Sequence, residues 1–140
     1  MRKTHLLALG ILALGFLTLV GCAGRRPAAV LLDTAGWEKL GERTVRLNLD
    51  QDTIAVTSSE GRFKRIMVIV RDGSLEMFDI KVVFGNGNDW SPNTRLVFDQ
   101  NSRSRVIDLP GGDRIIRRVN FRYKSLGAVS GRATVELWAK

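Results

Sequence analysis

The sequence has one cysteine and one histidine in 140 residues, Cys22 and His5. Both lie near the amino terminus, so nothing after Cys22 carries a thiol or an imidazole. Ser-His and Cys-His nucleophile pairs are therefore excluded there, as are zinc sites built from His and Cys. No disulfide can form within the chain, so the core alone must supply stability. Proline is scarce, at three residues, and only one tyrosine is present. One long apolar run exists, and it is confined to the amino terminus. Its sequence is followed by alternating polar and apolar residues with no helical period of useful length. One helical turn near Trp37 and Leu40 is the exception expected.

The apolar run covers residues 6–20 and is preceded by Arg2 and Lys3. Fifteen residues are short for a membrane span, which needs about 20. A positive start, a short apolar stretch and a small residue before a cut describe an export signal. The run ends on Leu19-Val20-Gly21-Cys22. That tetrad resembles the lipobox of bacterial lipoproteins. The resemblance implies a diacylglycerol on the Cys22 sulfur, cleavage before Cys22 and acylation, commonly palmitate, of the new amino terminus. Each buried methylene contributes about 0.8 kcal/mol to membrane binding, so several chains hold a protein stably. Ala23 follows, where an Asp would signal inner-membrane retention in such lipoproteins. The resemblance thus implies a periplasm-facing outer-membrane protein.

The expected organisation is a signal peptide over 1–21, a lipidated cysteine and tether over 22–33, and one domain over 34–140. Removing 1–21 takes two of 22 basic residues and no acidic one, so the net charge falls from +8 to +6. Arg25 and Arg26 sit in the tether, where each either adds about 1 kcal/mol near an anionic surface or simply solubilises the linker.

From Thr34 onward the apolar period is two. Strands are expected over 43–49, 53–57, 62–71, 75–84, 94–99, 103–109, 114–124 and 132–140. About eight short, mostly antiparallel strands with regular turns argue an all-β, single β-sandwich-like domain. Asp50-Gln51-Asp52 reads as a turn. Asp72-Gly73 reads as a two-residue hairpin. The strand before it has apolar residues on both faces, so that hairpin is expected at the centre of a sheet. In the next strand Phe78, Ile80, Val82 and Phe84 are expected on one face.

Further elements are Trp37-x-x-Leu40-Gly41-Glu42, Arg62-x-Lys64-Arg65-Ile66, Phe84-Gly85-Asn86-Gly87 and Asp108-Leu109-Pro110-Gly111-Gly112. Together they resemble an uncharacterised family of exported bacterial proteins, the domain-of-unknown-function family 2541. The resemblance implies an exported all-β domain and brings no activity with it.

Two stretches are candidate ligand sites. Arg114, Arg118, Arg122 and Lys124 lie at even offsets in one strand, which puts them on one face. Rows of arginine suit phosphate and carboxylate, while the same pattern also describes a solvated face that resists edge pairing. Arg117 falls among the inward positions, so it is expected to be paired with Asp79 or Asp108, or to sit at a bulge. The second stretch is the loop 85–93, where Asn86, Asn88 and Asp89 surround Trp90. A ring with amides around it suits a sugar. The same Trp also serves to cover the end of a sandwich.

No metal or cofactor is expected. Asp50-x-Asp52 and Asn86-x-Asn88-Asp89 are oxygen-rich, but ordinary turns have that composition. Asp50 and Asp52 are too close in one turn to flank a sugar bond well. Nucleic acid is a poor fit, since the row has no interleaved aromatics. The sequence points to a non-enzymatic envelope lipoprotein that binds an anionic glycan or polymer. The alternatives are a structural lipoprotein docking another envelope protein and, less well supported, an envelope hydrolase.

Overall fold

The fold comes from a computed structural model, which describes residues 32–46, 50–56, 61–127 and 132–140. The lipobox, the tether up to residue 31, and Leu47, Leu49 and Thr57 of the expected strands lie outside the described residues. Ten strands run in chain order among those described. They are β1 (Glu38–Arg46), β2 (Asp50–Ala55), β3 (Arg65–Arg71), β4 (Ser74–Phe84), β5 (Asp89–Trp90), β6 (Leu96–Phe98), β7 (Ser102–Arg103), β8 (Ile107–Asp108), β9 (Ile116–Gly127) and β10 (Arg132–Ala139).

Two antiparallel sheets face each other as a sandwich. The first has the order β1-β10-β3, with β7 and β8 both pairing with the free side of β3. The second has the order β2-β9-β4, with β5 and β6 on the far side of β4. The alternation read from the sequence explains the core between them. Ile66, Val68 and Val70 of β3, Val135 and Leu137 of β10, Ile80 and Val82 of β4, and Val119, Phe121 and Tyr123 of β9 form one buried cluster. Each such side chain stabilises the fold by about 1.5–3 kcal/mol relative to exposure. The Tyr123 hydroxyl donates to the Asp52 carboxylate at 2.8 Å, which satisfies its polar end.

Several expectations are corrected. Asp72-Gly73 is not a hairpin within a sheet. β3 already has β10 on one side and β7 and β8 on the other, and β4 has β9, β5 and β6. No pairing position is left, so the tight link carries the chain from one sheet to the other. Asp72 takes φ +64° to make that turn. Residues 38–40 belong to β1, not to a helical turn. Asp50-Gln51-Asp52 is strand, the start of β2. The expected strand over 103–109 is interrupted into β7 and β8. At the break Ser104 substitutes for a ladder partner: its hydroxyl accepts from the Val68 N–H at 3.0 Å. Part of the loop 85–93 is strand β5.

β-bulges explain two further differences. One between Met77 and Asp79 shifts the phase of β4. Leu75 and Met77 therefore face the core, and Phe78 lies half-exposed under the Arg95 guanidinium, 4.7 Å from its ring centre. The second bulge lies in β9. Val83 pairs with Arg118 and Phe84 with Ile116, so Arg117 is the extra residue. Arg117 is exposed and Ile116, not Ile115, is the core residue. The alternation Ile115-Arg117-Val119 fails because an unpaired residue reverses the phase.

Candidate functional site: a basic end of the sandwich

Three segments far apart in the chain meet at one end. Phe63 and Arg114 exchange both backbone hydrogen bonds, at 2.9 and 2.8 Å. On its other side the same run holds Gly85, whose N–H donates to the Ile115 carbonyl at 2.8 Å. The Leu109 N–H donates to the Lys64 carbonyl at 2.8 Å. The three glycine-led or basic motifs around Arg62, Gly85 and Gly111 are thus parts of one place.

The two glycines have separate reasons. Gly111 turns with φ +80°, and a Cβ there would stand 3.2 Å from an Arg114 Nη. A Cβ on Gly85 would stand 3.0 Å from Ile115 Cγ2. Their lack of side chains lets the segments close up and leaves space for Arg114. Its guanidinium carbon lies 3.8 Å from the Phe84 ring centre, and Nη1 donates to the Pro110 carbonyl at 2.9 Å. A cation over an aromatic face is held by the ring's quadrupole. Arg114 is therefore a fixed cation rather than a waving one.

Two cavities adjoin here. One, of about 300 Å³, is lined by Arg62, Phe84, Gly85, Asn86, Asp113, Arg114 and Ile115. The other, of about 420 Å³, is lined by Val56, Gly85, Ile115, Ile116 and Arg117. Among the described residues, no carboxylate lies within 4 Å of Arg62, Arg114 or Arg117. Among the described residues, Arg62 and Arg117 make long bonds of 3.4 Å, to the carbonyls of Asp113 and Gly85. At the rim Arg65 pairs with Asp108 at 3.0 Å, and Lys64 lies 3.9 Å from Asp113. Counting Arg62, Lys64, Arg65, Arg114 and Arg117 against Asp108 and Asp113 leaves three positive charges in excess.

The residues expected to bind ligand are divided by this geometry. Arg114 and Asn86 line the first cavity. Arg118, Arg122 and Lys124 lie together elsewhere, on the outer face of the β2-β9-β4 sheet. Asp79 stands opposite Arg122 and Glu76 opposite Lys124 on that face. Asp89 joins the same face and pairs with Lys81 at 3.3 Å. Asn88 closes the β4–β5 hairpin, its carbonyl accepting from the Phe84 N–H at 2.8 Å. Trp90 is half-buried, pairs with Val82 and packs against the core. The Asp52 carboxylate is engaged by Tyr123 and lies 3.6 Å from Arg43. Asp113 and Arg117 were not anticipated as site residues. Their signal was the set of short motifs scattered through the chain.

The model of a family described as a domain of unknown function (DUF2541) matches residues 11–139. This chain belongs to the DUF2541 family. No curated protein matches it. Among solved structures it is similar to the coat protein of Tobacco streak virus, at 18% identity over 74% of this chain and 84% of that one, with a TM-score of 0.30. So loose a superposition transfers nothing to the site. Three of the four short motifs quoted above, around Arg62, Gly85 and Gly111, converge on the basic end.

One more polar cluster was not anticipated. On the outer face of the β1-β10-β3 sheet, Glu136 is buried. Its carboxylate accepts from Arg71 at 3.1 Å, Lys39 at 3.3 Å and the Trp138 indole at 3.0 Å. Burial pushes its pKa up, but the Trp138 and Arg71 bonds and the charges of Arg71 and Lys39 outweigh it and hold the carboxyl below its ordinary value. Bonded to Lys39 of β1, Arg71 of β3 and Trp138 of its own strand, Glu136 ties neighbouring strands together.

Proposed function

We propose that this DUF2541 protein is a non-enzymatic lipoprotein of the bacterial cell envelope that binds an anionic ligand at the basic end of its sandwich. The observation that carries the binding reading is Arg114, fixed over Phe84 at the wall of a cavity that Arg62 also lines. A fixed guanidinium loses little freedom on binding, whereas ordering a free one costs about 0.5–1.5 kcal/mol. Guanidinium groups suit the paired oxygens of phosphate and carboxylate. The envelope reading rests on Leu19-Val20-Gly21-Cys22, the single cysteine closing the apolar run. On this reading residues 1–21 are removed, Cys22 carries the lipid, and the sandwich faces the periplasm from the outer membrane.

Two measurements test it. Cys22→Ser abolishes incorporation of labelled fatty acid and leaves the leader uncut; unchanged incorporation refutes the anchor. Full-length protein in detergent binds an acidic envelope polysaccharide at low salt and releases it as salt rises, because screening weakens exposed charge pairs. Absence of binding at low salt refutes the ligand reading. The exposed Val97 and Leu126, at 66% and 51%, favour a second reading, in which another envelope protein docks on the sandwich. A stoichiometric protein partner after crosslinking in native membranes, lost on Val97→Asp, would establish it.

A further inference from the structure

We infer that the basic end takes a chain, with two consecutive units lying one in each cavity and each unit carrying a single negative charge. This rests on the anion-binding reading above and goes beyond it by naming the ligand's form and charge per unit.

The cavities share Gly85 and Ile115 as their common border. Gly85 and Ile115 touch there, since a Cβ on Gly85 would stand 3.0 Å from Ile115 Cγ2, so a chain crosses the border over the Ile115 side chain. Each cavity has its own cation. The first holds Arg62 and Arg114 against Asp113, a net charge of one. In the second, Arg117 is the charged lining residue among the described residues, again one. Asp113 sets the charge of the unit in the first cavity. A dianionic phosphate monoester would bring its second charge toward that carboxylate, and like charges at close range repel. A phosphodiester or a uronate carries one charge and fits. The apolar lining residues are Phe84, Ile115, Ile116 and Val56, and the Asn86 amide N–H groups can meet a hydroxyl while its oxygen accepts from the Asn88 N–H at 3.1 Å. Carbon-rich units bearing one anion and some hydroxyls match that mixture. Their sizes, about 300 and 420 Å³, lie at the small end of ligand sites, which suits a single unit in each.

The experiment is calorimetric titration of the full-length protein in detergent at low salt. The probes are inorganic phosphate, glycerol phosphodiester chains of graded length and oligogalacturonates of graded length. In one of the two chain series, a two-unit chain is expected to bind at least about tenfold more tightly than one unit, since a second linked contact raises affinity by effective concentration. The series that shows the gain identifies the source of the charge. Arg117→Ala is expected to erase the gain and to lower the number of single units bound from two to one. Arg62→Ala, an exposed change that spares the fold, is expected to weaken every length. Inorganic phosphate is expected to bind more weakly than one unit.

If one unit binds and length brings no gain, the chain inference is overturned while the anion site stands. A gain that survives Arg117→Ala overturns it too. If no probe binds, the site reading falls with it.

Discussion

Arg114 is stacked on Phe84 and bonded to Pro110, at the end of the sandwich beside a cavity. Arg118, Arg122 and Lys124 follow it within ten residues. They stand exposed on the face of a sheet, with no ion pair or side-chain hydrogen bond among the described residues. The charges are alike and the settings are not. On the sheet face Asp79 and Glu76 lie across the ladder from Arg122 and Lys124. A ligand there would have to order long side chains and compete with water and acids. At the basic end the ordering is done by the fold. Charge alone therefore does not mark a site; the difference lies in what holds the charge still. The β-bulge at Arg117 is the physical cause of the division. It shifts the strand's phase, so Arg114 leaves the row and turns to Phe84.

The largest expected effect tests the wall between these regions. Trp90 belongs to the hairpin that carries Asn86, and its ring packs on the core edge. Trp90→Ala is expected to cost about 2–3 kcal/mol in urea unfolding, somewhat below the about 3–5 of a fully buried Trp. A loss under about 1 kcal/mol together with lost ligand binding would make the ring a binding platform instead.

A smaller effect separates structural charge from binding charge. Glu136→Gln is expected to cost about 1–2 kcal/mol at neutral pH, as loss of charged hydrogen bonds does, discounted because Lys39 and Arg71 are each about a third exposed. The carboxyl's folded pKa lies below its unfolded one. Its contribution is therefore present above the ordinary Glu range and is lost as pH falls through the folded value. The gap between wild type and Glu136→Gln should close in acid unfolding measurements, while anion binding at neutral pH stays unchanged. A gap that persists at low pH would mean that the ionic bonds are not what Glu136 contributes.

The smallest effect is on the sheet face. Arg118→Glu with Arg122→Glu should change stability by under about 0.5 kcal/mol per site. Anion binding should stay within about twofold, since neither side chain lines either cavity. A larger binding loss would move the site to that face.

Much of the fold was legible because its alternation is long and regular. From Arg118 to Lys124 the inward and outward residues follow the sequence without error, as they do in β10 from Ala133 to Leu137. The bulge at Phe78 was not legible, because an unpaired residue is decided by the neighbouring strand; a bulge was one of the alternatives read at Arg117. Asp72-Gly73 announced a reversal, but a reversal does not say whether the strands pair or part; that depended on β10, β7 and β8 having taken both sides of β3. Arg114 and Asn86 were readable as candidates from their chemistry. Asp113 and Arg117 were not, since the second cavity joins residues as far apart in the chain as Val56 and Arg117. Glu136 looked like any outward strand residue between Val135 and Leu137. Only the tertiary arrangement of Lys39, Arg71 and Trp138 around it shows otherwise.

The most direct test compares two single reversals in the full-length protein, Arg62→Glu at the cavity and Arg122→Glu on the sheet face. Both remove the same charge from exposed positions, so net charge is matched. Binding to one acidic polysaccharide is measured for each at the same low salt. The account predicts a loss of at least about tenfold for Arg62→Glu, in keeping with the about 1.5–3 kcal/mol of a charged hydrogen bond, and under about twofold for Arg122→Glu. Equal losses, or a greater loss at Arg122, would contradict it.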